Sequence, residues 1–339
     1  MRIRTWLLAA AAVLGLAHGA SAQDRTVNLR ISLWVPPAHP LVPAIRAWAA
    51  DMTKESGGTI TATMFPAEQL GKAFDHYDMA RDGIADVAYV NPGYQPGRFP
   101  IANAPTLPFM VANATGGSAA MDEWYAPYAA KEMSDTHFCM AFIADPGTLH
   151  SKTKVVVPGD VRGMKIRPAG DVAAQMVTAL GGTNVQASIA EARDVISRGV
   201  ADGITDFWNS QFLFHINDVT KFHIDMPLYT NSFAMPFNQK TYDGMSAAQK
   251  AVVDRHCTPE WAEKLGTVWA EYEHAGLELT RKAPGHTVVE LTPDQLAAWK
   301  TALAPVTAAW EDSVRRTGQD PAPILADLKA KLAAHGAAP

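Results

Sequence analysis

The segment PGDVRGMKIRPAG, residues 158–170, carries Arg162, Lys165 and Arg167 within a chain that is acidic overall. The run before it, TKVVV, and the alternating MKIR predict a strand, a turn at the proline–glycine pair and a second strand. Strand alternation puts Lys165 and Arg167 on one face of the sheet and their apolar neighbours on the other. The helical pattern DVAAQMVTALGG follows and ends at a glycine pair. The segment therefore predicts an α/β unit.

The residues before this segment alternate between strand and helix patterns. Residues 26–34, TVNLRISLW, alternate apolar and polar side chains as a strand does, and residues 40–58 place apolar side chains at helical spacing up to a glycine pair. Residues 59–66 predict a second strand, residues 76–83 a short helix, and residues 87–90 a third strand. The order β-α-β-α-β predicts an open sheet covered by helices on both faces.

The residues after the segment repeat this alternation. Ser188, with Glu191 three residues later, has the pattern of a capping box at the start of a helix. Residues 221–238 contain two strand-like runs that cross back toward the first half of the chain. A long amphipathic helix follows, with Thr258 as its N-cap. The predicted fold class is α/β, with two lobes, a central cleft, crossing strands and a long helix that spans both lobes.

The domain limits follow from these patterns. We expect lobe I to comprise residues 23–145, with roughly residues 233–270 returning to it. We expect lobe II to comprise residues 146–232, with roughly residues 271–315 packing on it, and residues 316–339 to form a C-terminal helical tail. Clefts between two lobes are common sites for small ligands.

The N-terminus indicates export. Residues 1–22 combine a basic start, an apolar run and small residues at Ala20-Ser21-Ala22, which is typical of a cleaved signal peptide. An uncleaved membrane anchor is the alternative, although the apolar run is short for a membrane span. We expect no stable membrane insertion of the mature chain, because no second apolar stretch has that length. The formal charge of −5 excludes a nucleic-acid partner on electrostatic grounds.

Motifs for catalysis or metal binding are absent from the sequence. There is no G-x-S-x-G elbow, no phosphate loop, no G-x-G-x-x-G fingerprint and no H-E-x-x-H pair. Eleven histidines are scattered without ligand spacing, and His215 and His223 are interpreted as surface or lobe-edge residues. We therefore predict no enzyme activity, no cofactor and no metal site. Cys139 and Cys257 could pair in an oxidising compartment or remain two buried thiols, and the sequence does not choose between these.

Five segments, in order along the chain, resemble one protein family. The chain is similar to the periplasmic solute-binding proteins of tripartite ATP-independent periplasmic (TRAP) transporters, the DctP-like group. The resemblance lies in TMFPAEQLG, ARDGIADVAYVNPGY, TLPFM, PGDVRGMKIRPAG and SIAEARDVISRGVADGI, and covers nearly the whole mature chain. It implies the two-lobed periplasmic binding protein fold. It also implies a periplasmic location, and delivery of an organic acid to a TRAP membrane permease that uses an ion gradient.

The resemblance assigns the central role to Arg167. The arginine that closes the family's "GlKiR" motif forms a bidentate salt bridge with the ligand carboxylate, and Arg167 occupies that position. A planar guanidinium offers two parallel donors that match a carboxylate. The alternative is an arginine paired with a neighbouring aspartate. Arg162 and Lys165 are interpreted as solvated.

Other candidate ligand-binding residues follow strand ends or family positions. Asp206 would repel a carboxylate unless it is protonated, bound to a ligand hydroxyl or bridged by a cation. His150 stands near the place where many members carry a second cationic or polar group, although a turn residue is an equal alternative. Trp208 is a candidate for the pocket wall, with Phe207, or for the core. The remaining candidates are Trp34, His39, Asn91, Tyr94, Asn209, Asn231 and Phe233.

One strong cation, several aromatic side chains and neutral donors suit a monocarboxylate better than a dianion. A 2-hydroxy, 2-oxo or aromatic acid is the expected ligand class. Two other functions stay open from the sequence. One is an extracytoplasmic α/β hydrolase or lyase acting on a small acid. The other is a sensing module that presents its ligand to a membrane receptor.

Overall fold

The computed structural model describes residues 24–339, and the predicted signal peptide lies outside the described residues. The described part contains two sheets, flanked by helices. The strands are β1 Val27–Ser32, β2 Ile60–Phe65, β3 Val87–Ala88, β4 Thr136–Ile143, β5 Thr148–Ser151, β6 Lys165–Arg167, β7 Thr183–Asn184, β8 Gly203–Asp206, β9 Phe222–Asp225, β10 Ser232–Asn238 and β11 Thr287–Glu290. The helices are α1 Leu41–Glu55, α2 His76–Arg81, α3 Ala114–Glu132, α4 Asp171–Ala179, α5 Ile189–Ser197, α6 Ser210–Leu213, α7 Gln239–Asp243, α8 Ala247–Arg255, α9 Pro259–Lys282, α10 Pro293–Arg315 and α11 Pro321–Ala334.

The first sheet forms the centre of lobe I. Its strand order is β2-β1-β3-β10-β4, in which β1 is parallel to β2 and β3. Strand β10 runs antiparallel to both β3 and β4, so the late part of the chain returns to this sheet as the sequence predicts. Because β1 and β3 are parallel, their carboxyl ends lie together at one edge.

The second sheet forms the centre of lobe II. Its strand order is β11-β9-β5-β8-β6-β7. Strand β6 is parallel to β7 and β8, and β5 is antiparallel to β8 and β9. The ends of β6 and β8 face the cleft, which places the Lys165–Arg167 strand at the position that the sequence indicates.

The chain crosses between the lobes more than once. It passes from β4 to β5 and returns from β9 to β10, and an antiparallel bridge between Gly147 and Tyr229 joins the two crossing segments. Helix α9 contacts α3, β4 and α1 of lobe I, and also α6 and β11 of lobe II. Helix α10 packs on α4, and α11 packs on α3. The predicted two-lobed α/β fold class is confirmed, whereas the residue limits of the domains stay a prediction.

Several elements begin where local chemistry predicts. Ser188 caps α5, and its backbone N–H donates to Glu191 Oε2 at 2.9 Å, as a capping box requires. Thr258 precedes α9 as its N-cap. Two strand predictions are wrong in extent. Residues 153–157 are irregular, and the strand lies earlier, at β5; the third strand of lobe I covers two residues where four were expected.

Lobe I contains the disulfide bond between Cys139 in β4 and Cys257 after α8. The sequence leaves open whether the two cysteines pair or remain free thiols, and in the structure they pair. The bond ties the end of α8 to the sheet, where Trp48 Nε1 also donates to the carbonyl of His256 at 2.8 Å. Among residues 24–339, no helix is both long and apolar enough to cross a membrane.

Candidate functional site

A small cavity lies between the two lobes, at the carboxyl ends of β1, β3, β6 and β8. Helix α9 closes one side of it through Trp269. In open α/β sheets ligands bind outside the carboxyl ends of the strands, and interfaces between domains are common sites for small ligands. Its lining residues are Trp34, His39, Asn91, Tyr94, Arg167, Ala169, Ile189, Asp206, Phe207, Ser210, Phe214, Asn231, Phe233 and Trp269.

Arg167 is the last residue of β6, and only 1% of its surface is exposed. Its Nε donates to the carbonyl of Ala187 at 2.9 Å and its Nη2 donates to the Tyr94 hydroxyl at 2.7 Å. No carboxylate oxygen of the described residues lies within 4.0 Å of the guanidinium. The alternative of an arginine paired with a neighbouring aspartate is therefore not what this part of the chain shows. Arg167 is a buried cation with no carboxylate of the described residues at salt-bridge distance.

Asp206 lies beside Arg167 on the same face of the lobe II sheet. Arg167 pairs with Ile204 of β8, and Asp206 follows two residues later, so both side chains leave the sheet on one side. Burial raises the pKa of the Asp206 carboxyl to about 7, against the attraction of Arg167, which lowers this pKa. Its Oδ2 is buried and accepts no hydrogen bond from a described residue.

Tyr94 connects the lobes through its hydroxyl. It reaches from the loop after β3 in lobe I and accepts hydrogen bonds from Arg167 Nη2 and from the backbone N–H of Ile189 at 3.3 Å. Because the hydroxyl oxygen accepts both bonds, its own proton remains available for donation. Tyr94 therefore offers the cavity a donor beside the guanidinium.

His39 and Trp34 add two neutral donors from lobe I. The backbone N–H of Leu41 donates to His39 Nδ1 at 3.2 Å, and burial lowers the pKa of His39 to about 3. The imidazole is therefore neutral, with its proton on Nε2. Trp34 stacks on Tyr89 with ring centroids 4.9 Å apart, and its indole Nε1 is buried without a partner among the described residues.

Asn91 and Asn231 hold the two lobes together. Both side-chain amides donate to the carbonyl of Ala169, each at 3.3 Å, two residues after Arg167. Beside them the backbones of Gly93 and Gly170 meet, and a Cβ on Gly93 would lie 3.1 Å from the Gly170 Cα. Asn91 and Asn231 thus both line the cavity and contact the backbone that follows β6.

Three predicted site residues lie outside the cavity. His150 is buried within β5 and is neither a cavity residue nor a turn residue; its Nε2 donates to the backbone carbonyl of Asp206 at 3.3 Å. Trp208 packs edge-on against the His150 ring, with centroids 5.4 Å apart, in the core of lobe II. Asn209 donates through its side-chain amide to the carbonyl of Tyr272 at 2.7 Å. Their common role is to fix the segment that carries Asp206.

The interpretation of His223 as a surface or lobe-edge residue is wrong, because its side chain is fully buried. Its Nδ1 lies 2.7 Å from His150 Nδ1 and its Nε2 lies 2.9 Å from His286 Nδ1. One arrangement of protons satisfies all these contacts: each ring is neutral and donates once, from His286 through His223 to His150. Burial lowers the pKa of His150 to about 3 and that of His223 to about 2, which fits neutral rings. His215 is exposed, as predicted.

The sequence did not point to five of the lining residues, which are Ala169, Ile189, Ser210, Phe214 and Trp269. Trp269 contacts His39, Phe207 and Phe233, with ring centroids 4.9–5.4 Å apart. Ser210 and Trp269 both donate to Glu273, a buried carboxylate on α9 whose pKa is raised by burial. The helical spacing of α9 predicts that its apolar face is buried, but not which residues that face contacts.

The cavity offers one guanidinium, one carboxyl, neutral donors and an aromatic wall. No group of three or more His, Cys, Asp or Glu side chains within residues 24–339 is placed to hold a metal ion.

Comparison with protein families gives a match over most of the chain. The model of the family described as bacterial extracellular solute-binding protein, family 7 (DctP), matches residues 31–313.

Three solved structures of similar fold contain a bound aromatic acid. A TRAP solute-binding protein from Rhodoferax ferrireducens, solved with copurified benzoate, is 28% identical, with 92% of this chain and 99% of that chain covered and a TM-score of 0.85. A marine metagenome protein specific for aromatic acid ligands, solved with 3-hydroxybenzoate, is 30% identical, with 92% and 99% covered and a TM-score of 0.85. A protein from Bordetella bronchiseptica with bound mandelate is 26% identical, with 91% and 99% covered and a TM-score of 0.85.

Proposed function

Because the chain belongs to family 7 of the bacterial extracellular solute-binding proteins, we propose that it captures an aromatic monocarboxylate between its two lobes and releases it unchanged. The acid would be delivered to the membrane permease of a TRAP-type uptake system in the periplasm. Binding would favour the closed arrangement of the lobes, since a ligand shifts an equilibrium toward the state that it binds better.

The observation that carries this proposal is the burial of Arg167 without a carboxylate within 4.0 Å among the described residues. A buried cation is costly unless an anion and further hydrogen bonds compensate it. A ligand carboxylate supplies both, because two oxygens match the guanidinium fork. Tyr94, whose hydroxyl proton is free, adds a donor at the same place.

The remaining walls favour a flat, apolar body with a single negative charge. Phe207, Phe214, Phe233 and the two tryptophans of the lining surround the space beside Arg167. Arg167 is the one lysine or arginine among the lining residues, so a second carboxylate would be buried without a cation. The benzoate, 3-hydroxybenzoate and mandelate held by the relatives support an aromatic acid.

The test is calorimetry and thermal melting of the purified chain with benzoate, 3-hydroxybenzoate, mandelate, succinate and glucuronate. At one hundred times its Kd an aromatic acid is expected to stabilise the protein by about 2.7 kcal/mol, which raises the melting temperature by several degrees. Stronger binding of succinate or glucuronate would contradict the proposal. Conversion of the acid, followed by NMR over many hours with excess ligand, would instead indicate an enzyme.

The close approach of Gly93 and Gly170 provides a test of whether the lobes must meet when the ligand binds. Replacing Gly93 by alanine would place a Cβ 3.1 Å from both the Gly170 Cα and Asn91 Oδ1, which is closer than carbon atoms normally pack. The lobes would have to separate slightly, and we expect the Kd for an aromatic acid to rise about ten-fold, the equivalent of a 1.4 kcal/mol overpacking cost. Isothermal titration calorimetry measures the change.

Gly159→Ala is the matched control, because a Cβ on Gly159 meets no atom within 4 Å. Its Kd should equal that of the unchanged chain. Equal affinities for the Gly93→Ala protein and this control would show that the two glycine backbones do not need to meet when the ligand binds.

A further inference from the structure

Asp206 lines the cavity, yet an aromatic acid with no polar group besides its carboxylate would offer this side chain no hydrogen-bonding partner. It is 4% exposed, it lines the same cavity as Arg167, and its Oδ2 accepts no hydrogen bond from a described residue. The position of its backbone is fixed, since His150 Nε2 donates to its carbonyl oxygen. On the other side of the segment, the backbone N–H groups of Asn209 and Ser210 donate to Glu273. Such support is typical of a side chain held for contact with a ligand.

A carboxylate bound to Arg167 would come close to Asp206, because the two side chains leave neighbouring strands on the same face. Two ionised carboxyl groups at one cation repel each other, and this repulsion favours the protonated form of Asp206. Burial already acts in that direction, raising its pKa to about 7. A protonated carboxyl has both a donor and an acceptor, and both need partners in a buried site.

We propose that Asp206 exchanges hydrogen bonds with a hydroxyl group of the ligand, and that the site selects hydroxylated aromatic acids over the corresponding acids without the hydroxyl. This inference rests on the proposed function and names the subclass of acid within it. A hydroxyl group can donate to Asp206 and accept from it or from a neighbouring donor. An unsubstituted ring would leave the Asp206 carboxyl buried and unpaired.

An ammonium group is the other ligand group that an aspartate recognises, and the donor inventory of the cavity disfavours it. An ammonium group brings three donors and no acceptor. The neutral polar groups nearby are mainly donors: the His39 imidazole, the Trp34 indole and the Tyr94 hydroxyl. Ser210 donates its hydroxyl proton to Glu273. A hydroxyl oxygen can accept from these donors, whereas an ammonium nitrogen cannot.

The test measures Kd for two pairs of acids that differ by one hydroxyl group: 3-hydroxybenzoate against benzoate, and mandelate against phenylacetate. In the unchanged chain at least one hydroxylated acid should bind about ten-fold or more tightly than its partner, which is the effect of a hydrogen bond to a buried charged or polar group. In the Asp206→Ala protein this preference should fall to about two-fold or less. Asp206→Leu, which is similar in size and has no polar atom, serves if the alanine variant does not fold.

Asp194→Ala is the matched control, because Asp194 is an exposed carboxylate of the same lobe, and it should retain the preference. Equal binding within both pairs by the unchanged chain would overturn the inference while leaving the proposed function intact. So would a preference that persists in both Asp206 variants, or phenylglycine binding more tightly than mandelate. Failure of all four acids to bind would overturn the proposed function as well.

Discussion

Replacing Arg167 by alanine is expected to raise the Kd for the bound aromatic acid about 100- to 1,000-fold. The guanidinium is the one cationic side chain among the lining residues, and Arg167, the last residue of β6, has only 1% of its surface exposed. Truncating one partner of a buried charge pair costs about 3–4 kcal/mol, which is two to three orders of magnitude in affinity. Isothermal titration calorimetry with benzoate or the best-binding hydroxy acid measures this loss.

The same substitution should have a small effect on folding. Arg167 has no carboxylate partner among the described residues, so its removal relieves desolvation while losing hydrogen bonds to Ala187 and Tyr94. Thermal melting without ligand should therefore separate loss of binding from loss of structure. Arg162→Ala, an exposed arginine of the same segment, is the control and should bind normally. If the Arg167→Ala protein still binds within ten-fold of the unchanged chain, the carboxylate lies elsewhere.

Replacing Gly276 by alanine is expected to lower the free energy of unfolding by about 3 kcal/mol, the upper part of the range for overpacking. A Cβ at this position of α9 would lie 2.2 Å from the backbone nitrogen of Asn209 and from the carbonyl carbon of Trp208. These are backbone atoms, which cannot rotate away. Helix α9 would have to move off the segment after β8, which weakens the hydrogen bonds from Asn209 and Ser210 to Glu273.

Urea unfolding followed by far-UV circular dichroism measures this change through the midpoint and slope of the transition. Leu279→Ala is the matched control, because Leu279 lies on the same helix and is 48% exposed. Surface substitutions of this kind change stability by about 0.5 kcal/mol or less. A Gly276→Ala protein as stable as this control would mean that α9 and the β8 segment are not in the tight contact described.

The sequence predicts most of the helices and strands, because alternation, helical spacing and capping patterns depend only on residues that are close in the chain. Alternation in residues 26–34 and helical spacing in residues 40–58 give β1 and α1, and the Ser188–Glu191 pattern gives the start of α5. The TKVVV run shows the limit of such reasoning. Its β-branched residues favour a strand, yet the hydrogen-bonding partners β8 and β9 pair with residues 148–151 instead. The β-propensity of a segment does not show whether that segment will pair with another strand.

The lining of the candidate site could be predicted from the sequence where it follows strand ends, as for Arg167, Asp206 and Asn91, since ligands bind there in open α/β sheets. The lining could not be predicted where tertiary contacts determine which side chains reach the cavity. His150 and Trp208 lie near the same strand ends, but their side chains are buried against each other. The sequence does not show which of the buried side chains near the strand ends line the cavity. Trp269 comes from a helix that starts more than fifty residues after β8, and its contact depends on the path of α9.

The two segments that cross between the lobes are hydrogen-bonded to each other. Between them, Gly147 N–H donates to the Tyr229 carbonyl at 2.7 Å and Leu228 N–H donates to the Gly147 carbonyl at 3.0 Å. Helix α9 contacts elements of both lobes beside these segments. The lobes are therefore joined by two crossing segments and one helix, and any change in the angle between the lobes would have to bend all three.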